Sequence, residues 1–214
     1  MQKAVIFDLD GTLIHSLPDI KENLNIMLKH FGYPTVSEER VRGIIGNGAR
    51  NLVKDAINFP ISDAELDQRL NFYNHCYTNS DNNNTLLFNG IPELLTSLNN
   101  KGYILAICTN KPQETTDRLY NKLLKQFNFK AVFGQRAGVP VKPDRQSVAG
   151  VFSALNVLPE NCYFIGDMEI DYLTAVNSGC KPINVLWGYG EKSKLLSLGA
   201  NLFAENPKDI LKII

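Results

Sequence analysis

From residue 90 onward the chain alternates between short apolar runs and amphipathic helical patterns. Ile104 to Cys108, Ala131 to Phe133, Cys162 to Ile165 and Ile183 to Leu186 read as strands, and Leu202-Phe203 as a further short one. Strands covered on both faces carry unbroken β-branched and aromatic runs rather than an apolar–polar alternation. Between them, Ile91, Leu94, Leu95 and Leu98, and later Val148, Val151, Phe152 and Leu155, recur at helical spacing. The last residues, Lys208 to Ile214, read as a docking helix. Strands that alternate with helices pair in parallel and are wrapped on both faces, because each crossover returns over the sheet. Val5-Ile6-Phe7 supplies one more strand at the start. The pattern predicts an α/β fold, a doubly wound, Rossmann-like parallel sheet.

Residues 16–80 break that alternation. Ser16 is placed to cap a helix with Pro18 in its first turn, and Ile20, Leu24, Met27 and Phe31 share one face. Ser37 opens a second helical stretch that stops at Gly46-Asn47-Gly48, and a short one follows through Leu52, Val53 and Ile57. Ser62-Asp63-Ala64-Glu65 is a capping box for a helix with Leu66, Leu70, Tyr73 and Tyr77 on one side. A polar run, Thr78 to Asn84, closes the segment. Strand signals occur only outside it. We therefore expect a main domain of residues 1–15 and 82–214, with a helical domain of residues 16–81 inserted after the first strand.

Lysine plus arginine and aspartate plus glutamate both number 22, so no basic excess points to nucleic acid or an anionic membrane. The chain opens on a strand and an acidic turn rather than a secretion signal, and no run of 18 apolar residues is present. Cys76, Cys108, Cys162 and Cys180 are scattered, without a C-x-x-C pair, which fits a reducing cytoplasm.

Ligands of doubly wound sheets bind at the carboxyl ends of the strands. Asp8 and Asp10 follow the first strand, with Gly11 allowing a sharp turn. Two residues apart, they point to one side while the strand lasts. Thr109-Asn110-Lys111 follows the strand from Ile104, Lys142 precedes a helix after the next strand, and Asp167 follows the strand from Cys162. Asp171 lies four residues on, sharing a helical face with Asp167. Singly, Thr109 is more often a helix cap or turn residue, a lysine before proline a solvated charge, and Gly166-Asp167 a turn. Together, four strand ends carry the complement for phosphoryl transfer: carboxylates, a hydroxyl, a cation and more carboxylates. Carboxylates held close repel, and Mg²⁺ between them relieves that cost. A cation and a lysine also neutralise a phosphate ester enough for an aspartate to attack phosphorus. A second acid then protonates the leaving alkoxide and later deprotonates water.

These residues resemble the haloacid-dehalogenase-like hydrolases, phosphatase branch. Phe7-Asp8-Leu9-Asp10-Gly11-Thr12-Leu13 matches the first motif of that family, Thr109-Asn110 the second, Lys142-Pro143 the third, and Gly166-Asp167-Met168-Glu169-Ile170-Asp171 the fourth. The resemblance implies Asp8 as nucleophile, Asp10 as general acid/base, and Thr109, Asn110 and Lys142 around the substrate. It implies Mg²⁺ held by the Asp8 side chain, the Asp10 backbone carbonyl and Asp167, with Asp171 nearby. It makes residues 16–81 a small helical cap. Within the family, Val41 to Ala49 and Cys108 to Pro112 look most like bacterial phosphoglycolate phosphatases, which adds Gly46, Asn47 and Gly48 as substrate-binding residues. His15, where relatives usually carry Asp, and Met168, where Ser is frequent, depart from the pattern.

The expected partner is a small phosphorylated metabolite, best matched by 2-phosphoglycolate, acted on by a monomer or homodimer. Pyrophosphate, a nucleoside monophosphate or a sugar phosphate stay open as substrates, as does a phosphomutase. A receiver-type signalling module also combines an acceptor Asp with Thr and Lys on such a sheet, but lacks Asp10's counterpart and the cap. A catalytically silent interaction protein is the third reading, against which the intact motifs speak.

Overall fold

The computed structural model describes residues 3–214. In chain order its elements are β1 (Ala4–Phe7), β2 (Ile14–His15), α1 (Leu17–His30), α2 (Glu38–Ile44), α3 (Ala49–Ile57), α4 (Asp63–Asn79), β3 (Leu86–Leu87), α5 (Ile91–Asn100), β4 (Ile104–Pro112), α6 (Gln113–Leu119), β5 (Phe129–Gln135), α7 (Ala149–Leu155), β6 (Cys162–Gly166), α8 (Glu169–Ser178), β7 (Lys181–Val185), α9 (Lys192–Ser197), β8 (Phe203–Ala204) and α10 (Pro207–Ile213). Among the described residues, six strands form a sheet in the order β5-β4-β1-β6-β7-β8, and every pairing is parallel. The chain winds outward from β1 in both directions. β1 is therefore the switch point, and the crevice beyond its carboxyl end is where this topology leaves room for a ligand.

β1 shows why the runs read as strands. All four of its residues are fully buried. Val5 and Phe7 join one apolar cluster with Leu105, Ile107, Ile165, Ile183 and residues of α5 and α10. Ala4 and Ile6 join another on the opposite face, with Ala106, Phe164, Val151 and Ala175. Period-two alternation thus divides one strand between two cores. Each large side chain so buried stabilises the fold by about 1.5–3 kcal/mol.

Helices α1 to α4 pack on a third cluster, which includes Leu24, Met27, Val41, Val53, Leu66, Tyr73 and Tyr77. The capping box at Ser62 and Glu65 is formed, with Glu65 Oε2 accepting from the Ser62 amide at 2.9 Å. Two segments join this unit to the sheet, and they pair as the antiparallel ribbon β2–β3, which the sequence reading did not anticipate. Asp19, buried in the first turn of α1, ties them together. It accepts from Thr85 Oγ1 at 2.6 Å and Asn84 Nδ2 at 2.9 Å.

Several boundaries differ from expectation. Ser16 makes no side-chain cap: its backbone is helical rather than extended, and its hydroxyl donates to Asp10 Oδ1, a charge-assisted bond. The Ile104 strand runs on to Pro112, with a register shift between Cys108 and Pro112. The Ile183 strand begins earlier, at Lys181. After Lys142 the chain makes a short 3₁₀ turn before α7 begins.

Candidate active site

The carboxyl ends of β1, β4 and β6 supply most of the chemistry. β1 ends at Phe7, so Asp8 already lies beyond the strand, its amide donating to Ile165 O at 2.9 Å. Gly11 follows with φ of +89°, and a Cβ there would meet Asp167 Oδ2 at 2.5 Å. Only glycine allows both the turn and the approach. That approach brings Thr12 Oγ1 within 3.0 Å of Asp167 Oδ1.

Asp8, Asp167 and Asp171 are all buried, with carboxylate oxygens within 4.8 Å of one another. Lys142 stands between two of them. Its Nζ lies 2.6 Å from Asp8 Oδ1 and 2.6 Å from Asp171 Oδ1, and its side chain is 2% exposed. Burial raises the Asp8 carboxyl to about 7, Lys142 pulling it down and Asp171 pushing it up. Burial raises Asp167 to about 8, with repulsion from Asp171 and Asp8 adding to it. Burial works against the Lys142 charge, but Asp171 and Asp8 outweigh it and hold its pKa above the ordinary lysine value. One ammonium among three carboxylates leaves the group short of positive charge. A hard divalent cation with oxygen ligands fits that deficit and that donor set.

Asp10 sits apart from this triad, paired with Lys111. Lys111 Nζ lies 3.1 Å and 3.0 Å from the two Asp10 oxygens and 2.8 Å from Tyr77 Oη. Asp8, Asp10, Thr109, Asn110, Lys111, Lys142 and Asp171 line one cavity of about 50 Å³. Ile45, Gly46, Gly48, Leu52, Tyr73 and Tyr77 wall it from the helical side.

The other predicted residues fall as follows. Thr109 is buried, and its Oγ1 accepts from the Lys111 amide at 3.3 Å. The Asn110 amide group is spent on the protein: Nδ2 donates to Gly46 O and Lys142 O, and Oδ1 accepts from the Lys142 amide at 2.8 Å. It pins the Gly46 loop and Lys142 to one strand end. Gly46 and Gly48 reach the cavity, while Asn47 lines a groove on the outer side. Asp167 contributes to the acidic triad from the turn before α8, its Oδ2 accepting from the Tyr189 amide at 2.7 Å. Met168 packs against the helical cluster, close enough to Gly46 that a Cβ there would meet its Sδ at 2.8 Å. His15 lies in β2 against Phe88 and Tyr189, with Nδ1 3.2 Å from Tyr189 Oη.

Sequence reasoning assigned no role to Lys111 or Tyr189. The Tyr189 hydroxyl accepts from the amides of Ser16 and Leu17 at 2.9 and 3.2 Å, where the chain enters α1. Arg42 of α2 reaches the same loop, donating to Gly188 O at 2.7 Å and Tyr189 O at 3.3 Å. Contacts that span more than 140 residues leave no local pattern in a sequence.

Residues 5–185 match the family model of the haloacid dehalogenase-like hydrolases. The chain is 30% identical to a phosphoglycolate phosphatase of Mannheimia succiniciproducens, over 99% of this chain and 98% of that one. It is 30% identical to phosphoglycolate phosphatase 1 of Pseudomonas aeruginosa, over 99% of this chain and 79% of the relative. Among solved structures, a predicted phosphoglycolate phosphatase from Haemophilus somnus superposes with a TM-score of 0.88 at 27% identity, covering 99% of this chain and 97% of that one. A haloacid dehalogenase-like hydrolase from Streptococcus pneumoniae gives 0.87 at 25% identity, covering 99% and 98%. Motifs, sheet order and relatives agree: the chain belongs to the haloacid dehalogenase-like hydrolases, as a phosphoric monoester hydrolase similar to the phosphoglycolate phosphatases of that family.

Proposed function

We propose that the enzyme hydrolyses a small phosphomonoester, 2-phosphoglycolate in the first instance, through a phosphoryl group carried on Asp8. The observation that carries this reading is the seat of Asp8: buried at the end of the central strand, in contact with Lys142, and facing a small cavity that Asp10 also lines. An Asp8 oxygen bonds phosphorus as the ester P–O bond breaks, and the leaving alkoxide takes a proton from Asp10. Water then attacks the phosphorus of the acyl phosphate, Asp10 takes its proton, and phosphate leaves with the Asp8 carboxylate restored. Lys142 and Thr109 hold the phosphoryl oxygens.

Mg²⁺ is the proposed cofactor. Asp8, Asp167 and the Asp10 backbone carbonyl would hold it, with Asp171 beside them. When bound it supplies positive charge against the phosphoryl oxygens and the clustered carboxylates. Helices α1 to α4 act as a cap over residues 1–15 and 82–214, consistent with their contribution to the cavity wall. Four free cysteines, three of them buried, fit work in a reducing cytoplasm.

The test is Asp8→Asn in an assay of phosphate release with Mg²⁺. Turnover should fall by about 10⁴-fold or more, and in the wild type one solvent oxygen should enter each phosphate released. Near-normal turnover by the variant would remove Asp8 from the nucleophile's place.

A further inference from the structure

We propose that Lys111 selects the substrate class, by pairing with a second anionic group, a carboxylate, carried on the leaving-group side of the phosphoryl centre. This rests on the phosphomonoesterase reading above. Among the described residues lining the cavity there are two cations, Lys142 and Lys111. Lys142 already bridges two carboxylates at 2.6 Å each. The helical wall offers apolar side chains, two glycines and two tyrosines, but no cation among its described lining residues. The arginines of α2 and α3 are engaged elsewhere: Arg42 on the carbonyls of residues 188 and 189, Arg40 on Asp55 O, and Arg50 on Asp63 and Asp67. A substrate carboxylate that points away from the triad therefore has Lys111 to meet.

Lys111 is also built to be met. Its side chain is 3% exposed, in a wall where an ammonium is costly unless paired. It is held by Asp10 on both oxygens, by Tyr77 Oη, and over the Tyr77 ring at 4.3 Å from the centroid. Asp10 has a second donor in Ser16 Oγ. A substrate carboxylate can thus take part of the Lys111 coordination without stripping Asp10 of partners. Lysine suits the exchange, being a compact charge with three rotatable donors on a flexible stem. A neutral leaving group offers Lys111 nothing, and a cationic one repels it.

Hydrogen bonds to charged groups correspond to roughly 10- to 100-fold in kcat/KM. Wild-type enzyme with Mg²⁺ should rank 2-phosphoglycolate above ethyl phosphate, and ethyl phosphate above 2-aminoethyl phosphate. In Lys111→Met both of the first two rates will fall, because Asp10 loses a partner. The ratio of kcat/KM between them should fall by a further 10- to 100-fold, carried mainly by KM, and Lys111→Arg should restore much of it. Equal losses on both substrates would reduce Lys111 to a support for Asp10 and overturn the proposal. A wild-type enzyme indifferent to leaving-group charge would overturn it without any variant having to fold. Absence of wild-type turnover on all three esters would instead overturn the small-phosphomonoester reading on which it stands.

Discussion

Replacing Lys142 with methionine tests the electrostatic account of the centre directly. The side chain keeps its length and apolar stem, but the ammonium 2.6 Å from both Asp8 and Asp171 is lost. Removing one partner of a buried ion pair typically costs about 3–5 kcal/mol, because the remaining charge is uncompensated. Asp8, already raised to about 7, and Asp167, raised to about 8, can escape that cost by taking up protons. The sign follows from linkage. An acid pushed up on folding binds protons more tightly in the native state, so stability falls as pH rises from the unfolded value, near 3.9, through the folded one. Without metal, Lys142→Met should therefore lose about 3–5 kcal/mol at pH 8, and only about 1–2 kcal/mol at pH 5, where Asp8 and Asp167 are protonated. A domain stable by about 5–15 kcal/mol survives both. Trp187, the single tryptophan, donates its indole N–H to Thr12 O at 3.0 Å, so its fluorescence reports on this region during urea unfolding. Adding Asp171→Asn should recover part of the loss at pH 8. A destabilisation that is the same at pH 5 and pH 8 would refute the reasoning.

Two further substitutions probe the contacts around the centre. Asn110→Ala leaves the buried Lys142 amide without its acceptor at 2.8 Å, an unpaired donor worth about 1–3 kcal/mol; the melting temperature should drop by about 2–12 °C, and an unchanged melting curve would contradict the pinning role. Tyr189→Phe removes the acceptor shared by the Ser16 and Leu17 amides. Their hydrogen exchange should accelerate by roughly 10- to 100-fold, while amides of β6 and β7 keep wild-type rates; protection that stays intact would show that the phenol does not hold the entry to α1.

The strands and the residues at their ends were legible because both signals are local. An unbroken apolar run marks a strand buried on two faces, and a charged residue directly after it marks the crevice. Asp8 and Asp167 were readable in this way, Asp171 by its helical spacing from Asp167 and Lys142 by its place before a helix, and the sheet brings them together. Residue identity alone was less informative about what each side chain would bond. Ser16 has the composition of a helix cap yet bonds Asp10. Asn110 has the look of a substrate ligand yet spends its amide group on backbone atoms. Asn47 lies on a glycine-flanked turn whose glycines reach the cavity while its own side faces the outer groove. For Asn110 the competing partners became available only once distant segments had met, since Gly46 and Lys142 lie 64 and 32 residues away. The β2–β3 ribbon was missed for a different reason: two residues per strand are too few to show a period.

The bend from Gly188 to Gly190 serves three masters at once. Its amides grip Asp167, its phenol receives the start of α1, and its carbonyls receive Arg42. Any swing of the four helices would thus turn about a post planted beside the sheet and rooted on Asp167, a member of the buried acidic triad. Drift in the helices would reshape only the cavity wall, but drift in this bend would disturb the Asp167 carboxylate, the entry to α1 and the Arg42 anchor together.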